Sequence, residues 1–580
     1  MIYKRLVIAL VMVLAVGAVA HAAESDWTMA RYDEAQTGYT PQQLTVPLTL
    51  YWQHNTTKSA NNTSAPAVVG DTTYFSSGDR VYAVDTATGS LKWRFPSGSD
   101  ALRSAVKTGI TAWEDMVFFG GMDGKLYALN AATGLMAWTF SAESAIRSTP
   151  VVSNGTIFVG SDDNNLYAID ARSGELSWTG GFRTNDDVAA SPAISPGIVV
   201  FTSLDTTVYA ANSATGKIRW TYRLPSVDTQ SGPVVSGNLV FIPAGNSIHV
   251  LSVKSGQLRY VINLQSDVSA PIAIAGSDVY VVCRNLKLYA YKAGLNAAKP
   301  KWAAAADLKM AVSAPPTVAG DTVFVGTKRG TVCAFSADTG NLLWNYTATP
   351  SIIGNNNQPA SYTSISAPLV AAGNSLLVLT DDGSLRCFKN DAPDNTSPKL
   401  YNVMPHLGTA MSGHPPIQIS AILYDESTGI NPDSIQLLLD EEKVDYTFDP
   451  STMKISYITP ITSPVRPLSD GRHILTIIAD DWKGNEIKHT WSFVVDNSMP
   501  PPKVVVKDKT KIKKPVTRPQ PPVPSVSTTP AAPGGSTNPG GGPGSSPNPG
   551  QGPGSQPSPG AWGGDGPPSP PGQGGPGGMP

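Results

Sequence analysis

Cysteine is scarce in this sequence, and its scarcity limits the chemistry that the chain can support. The three cysteines are Cys283, Cys333 and Cys387, and each lies in an apolar, strand-like run. No pair has the spacing of metal ligands, and an odd number cannot be fully paired within one chain. We therefore interpret them as buried thiols and expect neither a disulfide framework nor a cysteine-based metal site.

Charge is also sparse and carries no strong bias of sign. Only 15% of the 580 residues are charged, and the formal net charge at pH 7 is −2. A basic excess, which is typical of nucleic-acid-binding proteins, is absent. The seven histidines form neither an HExxH motif nor a paired zinc spacing, and no Walker loop or nucleophile-elbow serine occurs. The sequence therefore argues against nucleic-acid binding and against the enzyme classes that these motifs mark.

Long apolar runs are lacking outside the N-terminus. There, Lys4 and Arg5 precede the stretch "LVIALVMVLAVGAVA", and Ala20 and Ala22 have the spacing of a cleavage site. This pattern predicts a signal peptide at residues 1–22, the alternative being a retained membrane anchor. No cysteine lies near the cleavage point, so we expect no lipid modification. The mature chain, without a transmembrane span, is predicted to be secreted, periplasmic or at the cell surface.

A repeat with a period of 40 to 45 residues dominates residues 48–391. Tryptophans mark it, with Tyr260 in one of their places: Trp52, Trp93, Trp138, Trp178, Trp220, Trp302 and Trp344. Each unit contains four short runs rich in β-branched and aromatic residues, separated by turn residues. This period and strand content predict the blades of a β-propeller. We expect each tryptophan to dock over small residues where neighbouring blades crowd together.

The eighth unit lacks a tryptophan strand, whereas "LYWQHN", at residues 50–55, precedes the first unit. Together they complete eight sets of four strands. The sequence therefore predicts an all-β, eight-bladed propeller at 48–391, closed by an N-terminal strand that leaves no blade incomplete.

The recurring pattern A-x-D-x-x-T/S-G-x-x-x-W resembles the repeat of quinoprotein (pyrroloquinoline-quinone-like) β-propellers. "DWTMARYDEAQTGYTP", within a lead-in segment at 23–47, is similar to the lead-in of extracytoplasmic members. The resemblance implies one of two functional kinds. Dehydrogenases of this family bind the quinone in the central channel, with a calcium site of Glu and Asn, a catalytic Asp and commonly an adjacent Cys pair. Other members are non-enzymatic scaffolds, such as the BamB-type subunit.

The sequence departs from the dehydrogenase pattern. It has no adjacent Cys pair and no long insertions, and its candidate carboxylates fall in turns, where Asp favours local hydrogen bonding: Asp123, Asp162, Asp163, Asp381 and Asp382. We therefore predict the BamB-like, non-enzymatic branch, with no catalytic, cofactor-binding or metal-binding residue. The alternative is a pyrroloquinoline-quinone-dependent, dehydrogenase-like oxidoreductase with an atypical site, using the quinone and calcium.

Loops around the ring axis form the predicted contact surface. Arg103 and Arg147 both lie just before a predicted first strand, and the longest loop holds Asn356 and Tyr362. We predict a monomeric, exported scaffold that binds a protein or glycan of the cell envelope through this face. The alternative is that these residues are ordinary solvated loop residues.

Two further segments follow the repeats. About seven short strands at 395–497 predict an immunoglobulin-like β-sandwich, and "DGRHILTIIADDWKGNEIKHTWSFVVD" resembles the last hairpin of bacterial modules of that kind. Asp425, Asp480 and Asn485 are candidates either for calcium binding or for turn stabilisation at one end of it. Residues 498–580 are rich in Pro, Gly and Ser, which predicts a disordered tail. Its basic stretch, 503–518, is a candidate for electrostatic contact with the envelope.

Overall fold

The computed structural model describes residues 26–56, 64–227, 231–348, 363–462, 464 and 466–501. These residues form β-strands almost throughout, with one short 3-10 helix at Pro432–Ser434. The predicted signal peptide, Asn356, Tyr362 and the basic stretch 503–518 lie outside the described residues. Among the described residues, no helix has both the length and the apolar character needed to cross a bilayer.

The first four blades are four-stranded antiparallel sheets whose strands pair in chain order. Blade 1 comprises Ala67–Val69, Thr72–Ser77, Arg80–Asp85 and Leu91–Phe95. Blade 2 comprises Thr111–Trp113, Met116–Gly120, Lys125–Asn130 and Met136–Ser141. Blade 3 comprises Val151–Ser153, Thr156–Gly160, Asn165–Asp170 and Phe182–Arg183. Blade 4 comprises Ala193–Ser195, Ile198–Thr202, Thr207–Asn212 and Ile218–Arg223.

The remaining blades repeat this plan with two additions. Blade 5 comprises Val234–Ser236, Leu239–Ala244, Ser247–Ser252 and Leu258–Asn263. Blade 6 comprises Ala273–Ala275, Asp278–Cys283, Lys287–Ala293 and an outer strand split into Ala298–Pro300 and Ala306–Asp307. Blade 7 comprises Thr317–Ala319, Thr322–Gly326, Thr331–Ser336 and Leu342–Thr347, with Tyr39–Thr40 added parallel to its first strand. Blade 8 takes Val370–Ala372, Ser375–Leu379 and Ser384–Lys389 from the end of the propeller sequence.

The fourth strand of blade 8 comes from the N-terminal part of the chain. Thr49–Asn55 pairs antiparallel with Ser384–Lys389, from Thr49 opposite Lys389 to Asn55 opposite Ser384, with a bulge between Leu50 and Trp52. Eight blades and their closure by an N-terminal strand are thus confirmed. Such pairing leaves no unfilled strand position in the last blade, where an unpaired edge would otherwise remain.

Burial follows the position of a strand within its blade. Met116–Gly120, a second strand, is buried along its whole length, because neighbouring blades cover both of its faces. Leu91–Phe95, a fourth strand, contains only exposed and half-buried residues. The dense Val, Ile and Phe content of the middle strands therefore supplies the cores between blades, whereas the outer strands form the perimeter.

The lead-in segment runs along the inner strands of the ring. Trp27 exchanges two backbone hydrogen bonds with Val68 of blade 1. Further along, carbonyl oxygens of the lead-in accept from first-strand N–H groups of blades 2, 4, 5, 6 and 7, in the order Thr28–Ala112, Glu34–Ile194, Ala35–Val235, Thr37–Ile274 and Gly38–Val318. We call residues 27–40 the belt. Because it contacts six blades at the centre, the belt ties the ring together from inside.

A two-sheet β-sandwich follows the propeller. One sheet orders Lys399–Met404, Gln418–Tyr424, Lys454–Ile458 and Thr447–Asp449. The other orders Ala410–Met411, Glu486–Val495, Gly471–Asp480, Gln436–Leu439 and Glu442–Lys443. Ile419, Ile455, Leu437, Ile477 and Phe493, from both sheets, share one buried core. The immunoglobulin-like classification of this sandwich stays a prediction.

Candidate functional site: the channel and the joint

Six of the seven tryptophans of the repeat donate their indole N–H to a backbone carbonyl of the next blade. The pairs run round the ring as Trp52 to Thr86 at 3.1 Å, Trp93 to Ala131 at 2.8 Å, Trp138 to Ala171 at 3.3 Å, Trp178 to Ser213 at 3.0 Å, Trp220 to Val253 at 2.7 Å and Trp302 to Ala337 at 3.0 Å. Tyr260, in the tryptophan place, donates its hydroxyl to Gly294 at 2.8 Å. This is the geometry of a docking side chain between blades.

The Thr-Gly or Ser-Gly turn that precedes the outer strand of the tryptophan-accepting blades is shaped for this contact. Gly89 has φ +70°, and a Cβ there would lie 2.6 Å from the Trp52 ring. Asp85 begins the turn and accepts from the N–H groups of Ala87 and Thr88 and from the Thr88 hydroxyl. The Thr88 hydroxyl, with the backbone bonds, holds the pKa of Asp85 below its usual value. This turn therefore uses Asp85 for its hydrogen bonds, a place that Asn130 and Asn212 fill in blades 2 and 4, and it uses Gly89 for its backbone conformation and close ring contact.

Trp344 of blade 7 docks differently, because blade 8 has no Thr-Gly turn. Its indole donates to the carbonyl of Thr428, in the sandwich, at 2.9 Å. The sandwich loop "DESTG", residues 425–429, matches the D-x-x-T-G turn of the blades, and Asp425 Oδ1 accepts from the N–H groups of Ser427, Thr428 and Gly429. This five-residue match is the signal in the sequence that indicates the contact.

Other contacts fix the sandwich against blades 7 and 8. They are hydrogen bonds from Tyr346 to the Glu426 carbonyl at 3.0 Å, from Thr347 to the Pro450 carbonyl at 3.0 Å, from Arg329 to Ser451 at 2.8 Å, from Trp482 to Asn345 at 3.2 Å and from Lys483 to the Asn390 carbonyl at 3.0 Å. The N–H of Leu50, in the closing strand, also donates to the Ser427 carbonyl at 2.8 Å. We call this interface the joint. The sandwich is therefore hydrogen-bonded to the two blades where the ring closes.

A trio of carboxylates lies at the joint: Asp394, Asp425 and Asp481, each offering an oxygen within 4.8 Å of the others. The sequence indicated Asp480 and Asn485 beside Asp425, whereas the structure brings Asp481 there and uses Asn485 to donate to Asp481 and to the Asp394 carbonyl. Burial raises the pKa of Asp425 to about 6, and the other two carboxylates add to the shift. The observed role of these groups is to accept hydrogen bonds in turns.

The central channel contains a cavity of ≈ 600 Å³ that all eight blades line. Ala30, Arg31 and Gln36 of the belt contribute to its wall. Small residues and prolines make up most of the rest, together with Lys107, Arg147 and Lys328. The Arg31 guanidinium is buried and donates to the Ile272 carbonyl, and burial lowers its pKa to about 10. Four cationic side chains thus reach one cavity.

Arg103 and Arg147, which are equivalent in the sequence analysis, occupy different positions relative to the first strands of their blades. The first strand of blade 2 begins at Thr111, so Lys107, not Arg103, holds the register of Arg147. Arg103 is exposed and is not among the residues that line the channel. In the other seven units a proline lies one or two residues before the first strand, whereas blade 2 has Ile110 where blade 3 has Pro150. Without that proline, the alignment of Arg103 with Arg147 from the sequence was wrong. Arg147 does line the channel, paired with Asp162 at 2.8 Å and Asp187 at 3.1 Å.

The turn aspartates at the B–C loops, which connect second and third strands, are used locally. Asp123 accepts from the Tyr127 hydroxyl at 2.6 Å, and Asp163 accepts from the Tyr167 hydroxyl at 2.8 Å. Burial, followed by these bonds, raises the pKa of both tyrosines. Asp381 accepts from Ser366 at 2.9 Å, and Asp382 accepts from Thr380 at 2.6 Å. These carboxylates serve loop structure in the described geometry.

The channel lining does not fit a calcium–quinone pair. Calcium takes six to eight oxygen ligands, among which carboxylates are prominent, yet none of the described residues lining this cavity is Asp or Glu. The cysteines are free, buried and spread over blades 6, 7 and 8, so they form no adjacent pair. The four cations would suit an anionic group, but the calcium ligands that the dehydrogenase pattern requires are lacking among the described residues.

Eight blades built on a four-stranded plan, a closing strand and tryptophans docked from blade to blade define a pyrroloquinoline-quinone-like repeat β-propeller. The chain belongs to the family described as outer membrane protein assembly factor BamB, whose profile matches residues 77–292 and 204–404, together more than half of the chain.

Curated relatives match over short segments. A 1-butanol dehydrogenase (cytochrome c) of Thauera butanivorans is 30% identical over 129 residues, which is 20% of this chain and 19% of that protein. A quinohemoprotein alcohol dehydrogenase of Comamonas testosteroni is 31% identical over 157 residues, 24% of this chain and 22% of that protein. The matches thus span about a fifth of the relatives' length.

Solved structures support the fold. The crystal structure of quinohemoprotein alcohol dehydrogenase from Comamonas testosteroni superposes with a TM-score of 0.51 and 17% identity, over 67% of this chain and 84% of that one. At this identity the likeness concerns the propeller fold alone.

Proposed function

We propose that this protein is an exported, non-enzymatic scaffold that binds a protein or glycan at the cell envelope through the mouth of its central channel. The observation that supports this most is the lining of the channel, which presents Arg31, Lys107, Arg147 and Lys328 and, among the described residues, no carboxylate. A site built this way offers charge and hydrogen bonds to a partner without a general base or a metal-ligand set.

The cationic lining of the channel predicts the sign of the charge on its partner. Arg147 is neutralised by Asp162 and Asp187, whereas Lys328 is exposed at the channel wall. The Arg31 charge lies at the belt, where a backbone carbonyl is its hydrogen-bond acceptor. Cationic groups in a concave, narrow opening attract anions and accelerate their association. We therefore expect an acidic segment of a protein or an acidic glycan as the partner at this mouth, with the scaffold acting as a monomer.

Crosslinking in envelope extract tests this proposal. The double variant Lys107→Glu/Lys328→Glu should lose partners that the wild-type protein captures, as identified by mass spectrometry. Arg147 is left intact because a carboxylate beside Asp162 and Asp187 would disturb folding. Lys217→Glu/Arg259→Glu, which reverses two exposed charges at the perimeter, is the matched control and should capture the same partners as wild type. Equal capture by the channel variant and the control would contradict the proposal.

A second candidate function is a quinone-dependent oxidoreductase with an atypical site. The observation that favours it is the 30–31% identity of short segments to alcohol dehydrogenases. Reconstitution with pyrroloquinoline quinone and Ca²⁺, followed by absorbance and dye-reduction assays with primary alcohols, distinguishes the two. The scaffold proposal expects no dye reduction above that of free quinone. Alcohol-dependent reduction that requires the protein would establish the second candidate instead.

A further inference from the structure

The joint contains a second cavity, of ≈ 550 Å³, outside the channel. Its walls come from the closing strand, from Tyr346 and Arg386 of the last two blades, and from the sandwich segments 396–401 and 424–427. We call it the joint cleft. Ligand pockets have volumes of about 300–1,000 Å³ and occur preferentially at domain interfaces, so both the size and the position suit a small-molecule or oligomer site.

Aromatic side chains are concentrated in the joint cleft. Tyr51 and Trp52 lie on the closing strand, and Tyr401 and Tyr424 lie on neighbouring, paired strands of one sandwich sheet. Tyr51 is 51% exposed, whereas its neighbours Leu50 and Trp52 on the strand are half-buried. Lys389 lies over its ring, with Nζ 4.2 Å from the ring centroid. Aromatic faces carry partial negative charge and pack against C–H groups that carry partial positive charge, as the apolar faces of sugar rings do.

Arg386, which lines this cleft, differs in residue type from its counterparts in the other blades. It lies in the third strand opposite Gln53, a register position that the other blades fill with Tyr82, Tyr127, Tyr167, Tyr209, His249, Tyr289 and Cys333. The Arg386 side chain is 2% exposed, and its Nη1 donates to Thr380 Oγ1 at 2.7 Å. Burying a cation is costly unless it is paired, and Arg386 is paired with Thr380 and, at 4.0 Å, with Asp382, so its charge is a fixed part of the cleft wall at one of the two blades that contact the sandwich.

The opposite wall provides acceptors. Asp425 is buried, and Glu426 is exposed beside it. Arg386 and Lys399 supply two positive charges to the lining, and Asp425 and Glu426 supply two negative charges, so the formal charge of the lining at pH 7 is zero. Balanced donors and acceptors suit a ligand that carries hydroxyl groups, which both donate and accept, and give no preference to a charged ligand.

The backbone at the cleft disfavours a peptide strand as the occupant. A peptide that extends a sheet needs a free outer edge. The closing strand is the outer strand of blade 8, and its Leu50 N–H is already bonded to the Ser427 carbonyl of the sandwich at 2.8 Å. We therefore expect recognition in the cleft to use side chains, among them the aromatic rings of Tyr51 and Tyr401 and the charged groups of Lys399 and Glu426.

We infer that the joint cleft is a binding site for a short, uncharged oligosaccharide, whose ring faces pack on Tyr51 and Tyr401 and whose hydroxyl groups bond to the exposed Lys399 and Glu426 of its walls. The inference rests on the proposed function of a non-enzymatic binder, and it places a second site apart from the channel mouth. Such a cleft would join the envelope glycan to both domains at once.

Titration with defined sugars tests the inference. Cellotetraose, maltotetraose and chitotetraose are the uncharged probes, tetragalacturonate is the anionic comparison, and calorimetry with tryptophan fluorescence gives the affinity. At least one uncharged probe should bind, and Tyr51→Ala and Tyr401→Ala should each weaken it about tenfold, as expected when one stacked ring is removed. Leu295→Ala, at an exposed apolar residue of blade 6 away from the joint, is the control and should bind as wild type.

The outcomes separate the two proposals. If none of the uncharged probes binds, or if the double variant Tyr51→Ala/Tyr401→Ala retains the wild-type affinity, the cleft is not an oligosaccharide site. Tetragalacturonate that binds as tightly through the same tyrosines would overturn the assignment of an uncharged ligand. Lys107→Glu/Lys328→Glu should retain sugar binding, so loss of envelope partners alone would concern the channel, whereas loss of sugar binding alone would concern the cleft.

Discussion

The indole N–H of Trp344 donates to the carbonyl of Thr428 at 2.9 Å, although one residue belongs to the propeller and the other to the sandwich. Every other tryptophan of the repeat docks on the next blade. Blade 8 lacks the Thr-Gly turn, and the sandwich turn Asp425–Gly429, which matches it in sequence, supplies the acceptor at Thr428, the third residue after Asp, where the blade turns use the first. The second domain therefore takes part in closing the ring, and the two domains should unfold as one cooperative unit.

Substitution of Gly429 tests the joint. This glycine has φ +83°, and a Cβ there would lie 2.8 Å from the Asn345 carbonyl. Gly429→Ala should lower the free energy of unfolding by the cost of a left-handed residue, about 1–2 kcal/mol, plus a further ~1–3 kcal/mol for the clash. Thermal unfolding by calorimetry measures this.

Gly484 provides the matched control for that substitution. It has φ +86° and nothing within 4 Å of a Cβ. Gly484→Ala should therefore cost only the backbone term. Equal destabilisation by the two variants would show that the contact with Asn345 contributes nothing to stability.

The closing strand is tested by truncation. A chain that begins at residue 57 lacks both the belt and the strand Thr49–Asn55, and it should unfold at a lower temperature and less cooperatively, because blade 8 loses an outer strand and the inner strands lose their belt contacts. A chain that begins at residue 26 retains both and is the control. An unchanged midpoint and cooperativity in the shorter chain would contradict the closing role.

The raised pKa of Asp425 predicts that the free energy of unfolding depends on pH. Burial raises its pKa in the folded protein to about 6, above the ordinary value of about 3.9 for an unfolded chain. The folded state therefore binds more protons between these values, and stability contributed by the protonated group is lost as pH rises from about 4 to 6. Asp425→Asn should remove this loss, so the variant should gain roughly 1–3 kcal/mol relative to wild type between pH 4 and pH 7.

The contribution of Asp449 to stability should change with pH in the opposite direction, so Asp449 serves as the comparison. Burial opposes the shift, but hydrogen bonds from Ser451 and Thr452 prevail and lower the pKa of Asp449. Its contribution is present above the unfolded pKa and is lost as pH falls. Urea unfolding of both Asn variants across this range measures the two slopes, and slopes of the same sign would contradict the assignment.

The three cysteine thiols are expected to react slowly with thiol reagents in the folded protein. Burial raises the pKa of Cys283 and Cys333 to about 12 and that of Cys387 to about 11. The reactive thiolate is therefore rare at pH 8, and the side chains are shielded. Ellman's reagent should label almost none of them in native protein and all three after unfolding. Rapid labelling of native protein would place a cysteine at an accessible site.

The features of the fold that the sequence predicted are those that depend on short stretches of chain and recur in each repeat. The Trp52 and Trp93 spacing, the Thr-Gly turns and the alternation of apolar runs each depend on neighbouring residues, and each repeats, so errors in one unit are corrected by the others. Even the origin of the closing strand was recoverable, because Trp52 keeps the register of the repeat. Blade 2 shows the limit of this approach, since a single missing proline moved the alignment from Lys107 to Arg103.

The sequence by itself determined the number of blades, the closing strand and the residues that dock between blades, because these follow from a periodic pattern and from the backbone needs of tight turns. Only the tertiary structure decided the path of the belt, the cationic lining of the channel, the trio of Asp394, Asp425 and Asp481, and the docking of Trp344 on the sandwich. Those features bring together residues that are far apart in the chain and occur once. No period marks them, and their energies arise only when the folded surfaces meet.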